Sequence, residues 1–192
     1  MIFRLKDKGQ LGYIRNRKLA RGIVVAIGLA AIIAIFLTGY IATKTRNNLL
    51  SLVAILTALP VSKYIVLFIM LCPYHSETKE MYDKVVNTAG DKAQVLTEMI
   101  LTTREKIMPI DYLVVKDSHV YGYTTYKKCD IAFTEKFLVN NMQLNGHKVA
   151  VKIWDDEKKF LGKVSSLASK EIEDAQLNSD IAVAETLVTL VV

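Results

Sequence analysis

Asp111, Asp117 and His119 are the residues of this chain whose types and spacing best suit acid–base or metal chemistry. Residues two apart on a strand share a face, so His119, Tyr121 and Tyr123 should line up, with Asp117 in the preceding turn and Asp111 on the neighbouring strand. A carboxylate beside an imidazole can move a proton or hold a metal ion. The simpler reading of the same stretch is a strand with aromatic cross-strand contacts, and Tyr112, Tyr121, Tyr123 and Tyr126 are explained by packing before they are explained by a peptide-binding patch.

Other chemistry finds little support. Cys72 and Cys129 lack the close pairing and histidine partners of a zinc site, and His75 and His147 have no ligand-spaced partner. The nine glycines are scattered, and there is no phosphate loop, nucleophile elbow or His-Glu-x-x-His pair. No cofactor and no metal are expected.

The elements that must position Asp111 and His119 are legible in part. Residues 76–89 read as a helix capped by Ser76 or Thr78 and stopped at Gly90. Residues 91–108 are ambiguous: their charges permit a helix, while Val95, Thr97, Met99 and Leu101 alternate as in a strand. Residues 110–116 and 119–126 read as a β-hairpin about Asp117-Ser118. A helix capped by Asp130 or Thr134 and ended by Asn145-Gly146 should follow, then a strand over 148–154. Asp155-Asp156-Glu157 opens a helix with Phe160, Leu161, Val164 and Leu167 along one face, and the tail from Ser179 reads as helix although its last residues favour a strand.

Upstream of this domain the chain is too apolar for water. The 52% hydrophobic content is concentrated between Gly22 and Pro73. Residues 22–43 are 22 residues without a charge, enough at about 1.5 Å each to cross the roughly 30 Å hydrocarbon core, and longer than the apolar region of a signal peptide. Residues 49–73 form a second span, interrupted by Pro60 and Lys63. The expected fold is thus a membrane α-helical hairpin of two transmembrane helices followed by a small α/β (α+β) cytoplasmic domain. Residues 1–21 form a basic arm, 22–73 the hairpin and 74–192 the domain.

Small residues recur at every fourth position, at Gly22, Ala26, Ala30 and Ala34 in the first span and at Ala54, Ala58 and Ser62 in the second. Close backbone approach along such stripes is how spans associate in lipid, so these faces are expected to meet, with a homodimer through the same stripe as the alternative. Lys63 is the one charge inside a span. It is either a functional group or a side chain that snorkels to the head groups; no intramembrane Asp or Glu is there to pair with it.

Charge divides at the same boundary. Residues 1–73 hold ten Lys/Arg against one acid, Asp7, a net +9, and residues 74–192 hold 15 against 18, a net −3. The overall +6 therefore does not describe a nucleic-acid-binding surface, and nucleic acid is disfavoured as a partner. Seven of the cations precede residue 22, against Lys44 and Arg46 in the connector. This asymmetry places both chain ends on the cytoplasmic side of the cell (inner) membrane.

With 91–108 as a strand, the order helix, three strands, helix, strand resembles the core of the restriction-endonuclease-like nucleases, some of which are membrane-tethered. That resemblance implies a metal-holding acid followed on the next strand by an Asp/Glu-x-Lys triplet. The triplets here, Glu77-Thr78-Lys79, Asp156-Glu157-Lys158 and Glu157-Lys158-Lys159, all lie at helix starts. The likeness is one of order alone, and a fold does not supply a function. The sequence reads as a two-span membrane protein displaying a non-catalytic cytoplasmic α/β domain for protein interaction or regulation, its partners being the bilayer and a membrane or cytoplasmic protein. The alternative is a membrane-anchored enzyme of nuclease-like or hydrolytic type.

Overall fold

A computed structural model of the chain describes residues 8–45, 48–169 and 173–191. Arg4, Lys6 and Asp7 of the basic arm and Arg46 of the connector lie outside the described residues. Two compact units are present, one of residues 14–75 and one that combines residues 8–13 with residues 76–191.

The first unit is a pair of helices, α1 (Tyr13–Thr43) and α2 (Leu49–Leu71), each long and apolar enough to cross a membrane. Helix α1 starts nine residues before the apolar run, because Arg15, Arg17, Lys18 and Arg21 are good helix formers and extend it. The most apolar 18-residue stretch of each helix is only 6% buried. Ile41 is 71% exposed and Leu49 76%, the inverse of a water-soluble helix pair. Polar groups turn inward along each helix instead. Thr38 and Thr57 hydroxyls donate to the carbonyls four residues back at 2.8 Å, and Ser62 donates to Leu59 at 2.7 Å. Asn48 caps α2 by accepting from Ser51 N at 2.8 Å. At the other end, Lys18 Nζ donates to the carbonyl of Cys72 at 2.9 Å and to that of Tyr74, and Arg21 Nη1 donates to that of Leu67 at 3.0 Å, so cations of α1 meet carbonyls in the last turn of α2 and just beyond it.

The faces that meet include the expected small residues only in part. Gly22 lies against Phe68 and Gly28 against Val61, where an added methyl would come within 2.7 Å of Val61 Cγ2. Ala54 and Ala58 lie on the sheltered side of α2, but Ala26, Ala30, Ala34, Ser62 and Lys63 are exposed. The sheltered positions along the apolar part of α1 are Gly22, Val25, Gly28, Ile32, Ile35 and Gly39, a mixture of three- and four-residue spacings. Two helices that stay in contact at a shallow angle need a repeat near 3.5, whereas a strict four-residue stripe winds away from the partner by about 40° at each step.

The second unit is built on a four-stranded sheet of β1 (Gln94–Thr102), β2 (Ile107–Lys116), β3 (His119–Tyr123) and β4 (Ala150–Trp154), side by side in that order. β1, β2 and β3 are antiparallel neighbours, and β4 runs parallel to β3 after the crossover helix α4 (Ile131–Leu144). Helices α3 (Lys79–Ala89) and α5 (Glu157–Ala168) cover the face carrying Tyr112, Val114 and Tyr123, with Val85, Ala89, Phe160 and Val164 as their contribution to the core. The other face, which carries Leu96, Leu113 and Ile153, receives α4 on β4 and α6 (Asp174–Thr189) on β1 and β2. Burial on both faces accounts for the uninterrupted apolar stretch from Tyr112 to Val115 in β2.

The ambiguous segment is therefore the strand β1. Its outer edge is covered: Thr97 N donates to the Gly9 carbonyl at 2.9 Å, and Val191 bridges Leu101. Thr78, Asp130 and Asp156 cap α3, α4 and α5. Lys116, 2% exposed, donates from Nζ to the carbonyls of Ala89 and Ala168 at the ends of α3 and α5 and to that of Asp91. Helix α6 starts five residues before the expected position, and Val191 just beyond it forms the bridge that its strand propensity suggests.

Candidate functional site

Three carboxylates gather where the chain enters the domain. Glu77 sits just before the Thr78 cap of α3, Glu98 lies in β1, and Asp111 stands opposite Glu98 on β2, between the paired positions Thr97–Tyr112 and Met99–Ile110. Glu98 has φ +55°, a left-handed conformation that costs a non-glycine residue of order 1 kcal/mol or more and persists only where its surroundings hold it. Its surroundings do so. Glu98 is 1% exposed, and its Oε1 accepts from Gly12 N at 2.7 Å, from Glu77 N at 3.1 Å and from the Ser76 hydroxyl. One carboxylate thus ties β1 to the segment before α1 and to the segment after α2.

Asp111 is 3% exposed, and its Oδ2 accepts from Thr125 N at 2.6 Å and Thr125 Oγ1 at 2.7 Å. Glu77 is half-buried; its Oε2 accepts from the Tyr112 hydroxyl at 3.3 Å, and its carboxyl faces that of Asp111. Burial, then the Asp111 charge, push Glu77 up to about 7, against the opposing hydrogen bond from Tyr112. Burial also raises Asp111, opposed by the hydroxyl and amide of Thr125, and raises the phenol of Tyr112, which faces the Glu77 charge as well. Two carboxyls whose environments favour one shared proton near neutrality have the electrostatic pattern of an acid–base pair. Their ties are to main chain and to neighbouring hydroxyls, which is the pattern of an anchor.

Asp117 and His119 lie elsewhere. Six residue steps at about 3.3 Å each separate Asp111, in the middle of β2, from Asp117, just past its end, by roughly 20 Å. Asp117 and Ser118 have φ of +54° and +57° and form a tight two-residue turn. Their N–H groups donate at 2.7 and 3.0 Å to the carboxylate of Asp180, fully buried on α6. His119 Nδ1 donates to the Asp117 carbonyl at 2.6 Å, and its ring meets the edge of Tyr121 at 5.8 Å. Tyr121 in turn packs on Trp154, and Tyr123 stacks on Phe160 at 5.5 Å. His119, Tyr121 and Tyr123 do share a face, but it is the one under α3 and α5, and packing accounts for the aromatic row.

Cys129 is buried beside Thr134, while Cys72 is exposed just past α2. His147 Nε2 pairs with the hydroxyl of Thr186 at 3.2 Å, and among the described residues no three His, Cys, Asp or Glu side chains are placed to share a metal ion. The helix–three-strand–helix–strand order is present, with Asp111 on the second strand, yet β3 reads His-Val-Tyr-Gly-Tyr and holds no acid-x-Lys triplet. No protein-family model matches the chain, and no curated protein or solved structure proves similar to it.

Proposed function

We propose that this chain is an integral protein of the cell (inner) membrane, in which α1 and α2 form a transmembrane hairpin that displays a non-catalytic α/β domain in the cytoplasm for protein interaction or regulation. The outward-facing apolar surface of both helices carries this reading, since such a surface is stable only against lipid. The hydroxyls turned back into their own helices support it, because polar groups in hydrocarbon need internal partners. Thr45, in the connector, tests the orientation. In intact cells Thr45→Cys in a chain that also carries Cys72→Ser should react with a membrane-impermeant maleimide, and reaction only after lysis would overturn the orientation.

A second reading, a membrane-anchored enzyme of hydrolytic or nuclease-like type, is favoured by one observation, the Glu77 and Asp111 carboxyls brought together beside Tyr112. If the purified chain cleaves a phosphodiester or ester, and Asp111→Asn abolishes cleavage while leaving the thermal transition intact, the non-catalytic reading fails.

A further inference from the structure

We propose that Glu77 and Asp111 form a proton-operated latch on residues 76–78, the segment that leads from the apolar hairpin into the domain. In the closed state protonated Glu77 donates to the Asp111 carboxylate, and the same segment gives Glu98 the amide of Glu77 and the hydroxyl of Ser76. Loss of the Glu77 proton leaves Glu77, Asp111 and Glu98 as neighbouring anions, with the first two removed from much of their water. The segment then separates from the sheet.

The groups facing Glu77 bear this out element by element. β1 contributes Glu98, and β2 contributes Asp111 and Tyr112. β3 contributes Tyr123, whose phenol also feels the charges of Glu157 and Asp156 at the start of α5. On α3 itself Lys79 and Glu80 are exposed, and Lys84 is engaged by Glu157 at 2.5 Å. From the segment before α1, Lys8 is directed to the carbonyl of Val191. The charges that act most strongly on Glu77 are thus carboxylates, and each raises the cost of ionising it.

The sign of the pH dependence follows. Glu77 titrates near 7 in the closed state and at 4.5 when free, so closure binds a proton that opening releases. The stabilisation is complete below about 4.5, declines as pH rises toward 7 and is gone above it. This latch lies within the domain unit and does not depend on the hairpin being in a bilayer.

Amide hydrogen exchange of the full chain in mild detergent, read on peptides covering residues 76–82 and corrected for the intrinsic rate, tests it between pH 5.5 and 8.5. Protection of this segment should fall by about tenfold or more across that range, one linked proton being able to change an opening equilibrium by up to tenfold for each pH unit. Glu77→Gln, neutral at every pH, should hold protection constant within about twofold. Glu80→Gln, exposed on the same helix, should keep the full decline. Flat protection in the unmodified chain, an unchanged decline in Glu77→Gln, or an equal decline in peptides from β3 would each overturn the latch. Asp111→Asn, which removes the anion that raises Glu77, should shrink the decline and move its midpoint downward in pH; should that variant fail to fold, Glu77→Gln alone decides.

Discussion

Asp180 and Asp117 show how differently two carboxylates of the same corner contribute. Asp180 is fully buried and receives both amides of the Asp117-Ser118 turn together with Gln176 Nε2 at 3.0 Å. Asp180→Ala leaves those donors without their acceptor, and about 2–4 kcal/mol of stability should be lost, read as a lowered thermal midpoint of the full chain in detergent. Asp117 serves the turn through its main chain, and asparagine adopts the left-handed conformation as readily. Asp117→Asn should therefore change stability by about 0.5 kcal/mol or less. Glu98→Gln keeps the shape of the side chain but removes the charge that receives Gly12 N, Glu77 N and Ser76. A loss of about 1–3 kcal/mol is expected, with increased proteolysis on either side of residues 12 and 76.

At the scale of elements, α1 and α2 make a contrast of their own. Gly28 is in contact with Val61, whereas Ala30 faces outward. Gly28→Leu should force the helices apart and lower the temperature at which the protein aggregates in detergent, while Ala30→Leu should leave that temperature unchanged. What the sequence discloses and what it withholds follow the range of the interactions. The caps Thr78, Asp130 and Asp156, the helix end at Gly90 and the Asp117-Ser118 turn are fixed by contacts within a few residues, and all are legible. β1 is not, because it is sheltered on both faces and carries a charge, Glu98, at a position that propensity would keep solvated. The contact face of the hairpin is obscured for another reason: the geometry of two crossing helices, not residue size, selects among several stripes of small residues. Glu98 itself escapes notice because its partners Gly12 and Ser76 are 86 and 22 residues away. Of the candidate constellation, Asp111 belongs to a buried polar cluster, while Asp117 and His119 belong to a turn at the far end of the same strand.

For the molecule as a whole, the +9 and −3 halves of the sequence correspond to two units with different demands on their surroundings. The hairpin turns apolar side chains outward, and the domain carries its own core on both faces of a sheet. Alkaline carbonate extraction of cell membranes should leave the full chain in the pellet, and release of most of it into the supernatant would count against a spanning hairpin. Deleting residues 1–12 strips the Gly9 carbonyl from Thr97 and bares one edge of β1. The variant should aggregate at concentrations where the full chain stays dispersed.

That same edge has a consequence for biosynthesis. β1 is bordered by Gly9 at one position and by Val191 at another, and Lys8 reaches the Val191 carbonyl across 183 residues of sequence. During translation residue 9 emerges before either long helix has been made, and residue 191 emerges after every strand has been released. The sheet's outer border can close only when the last of these residues leaves the ribosome, well after the hairpin is available for insertion. A ribosome stalled short of residue 191 would hold a completed hairpin and a domain whose border strand is still open.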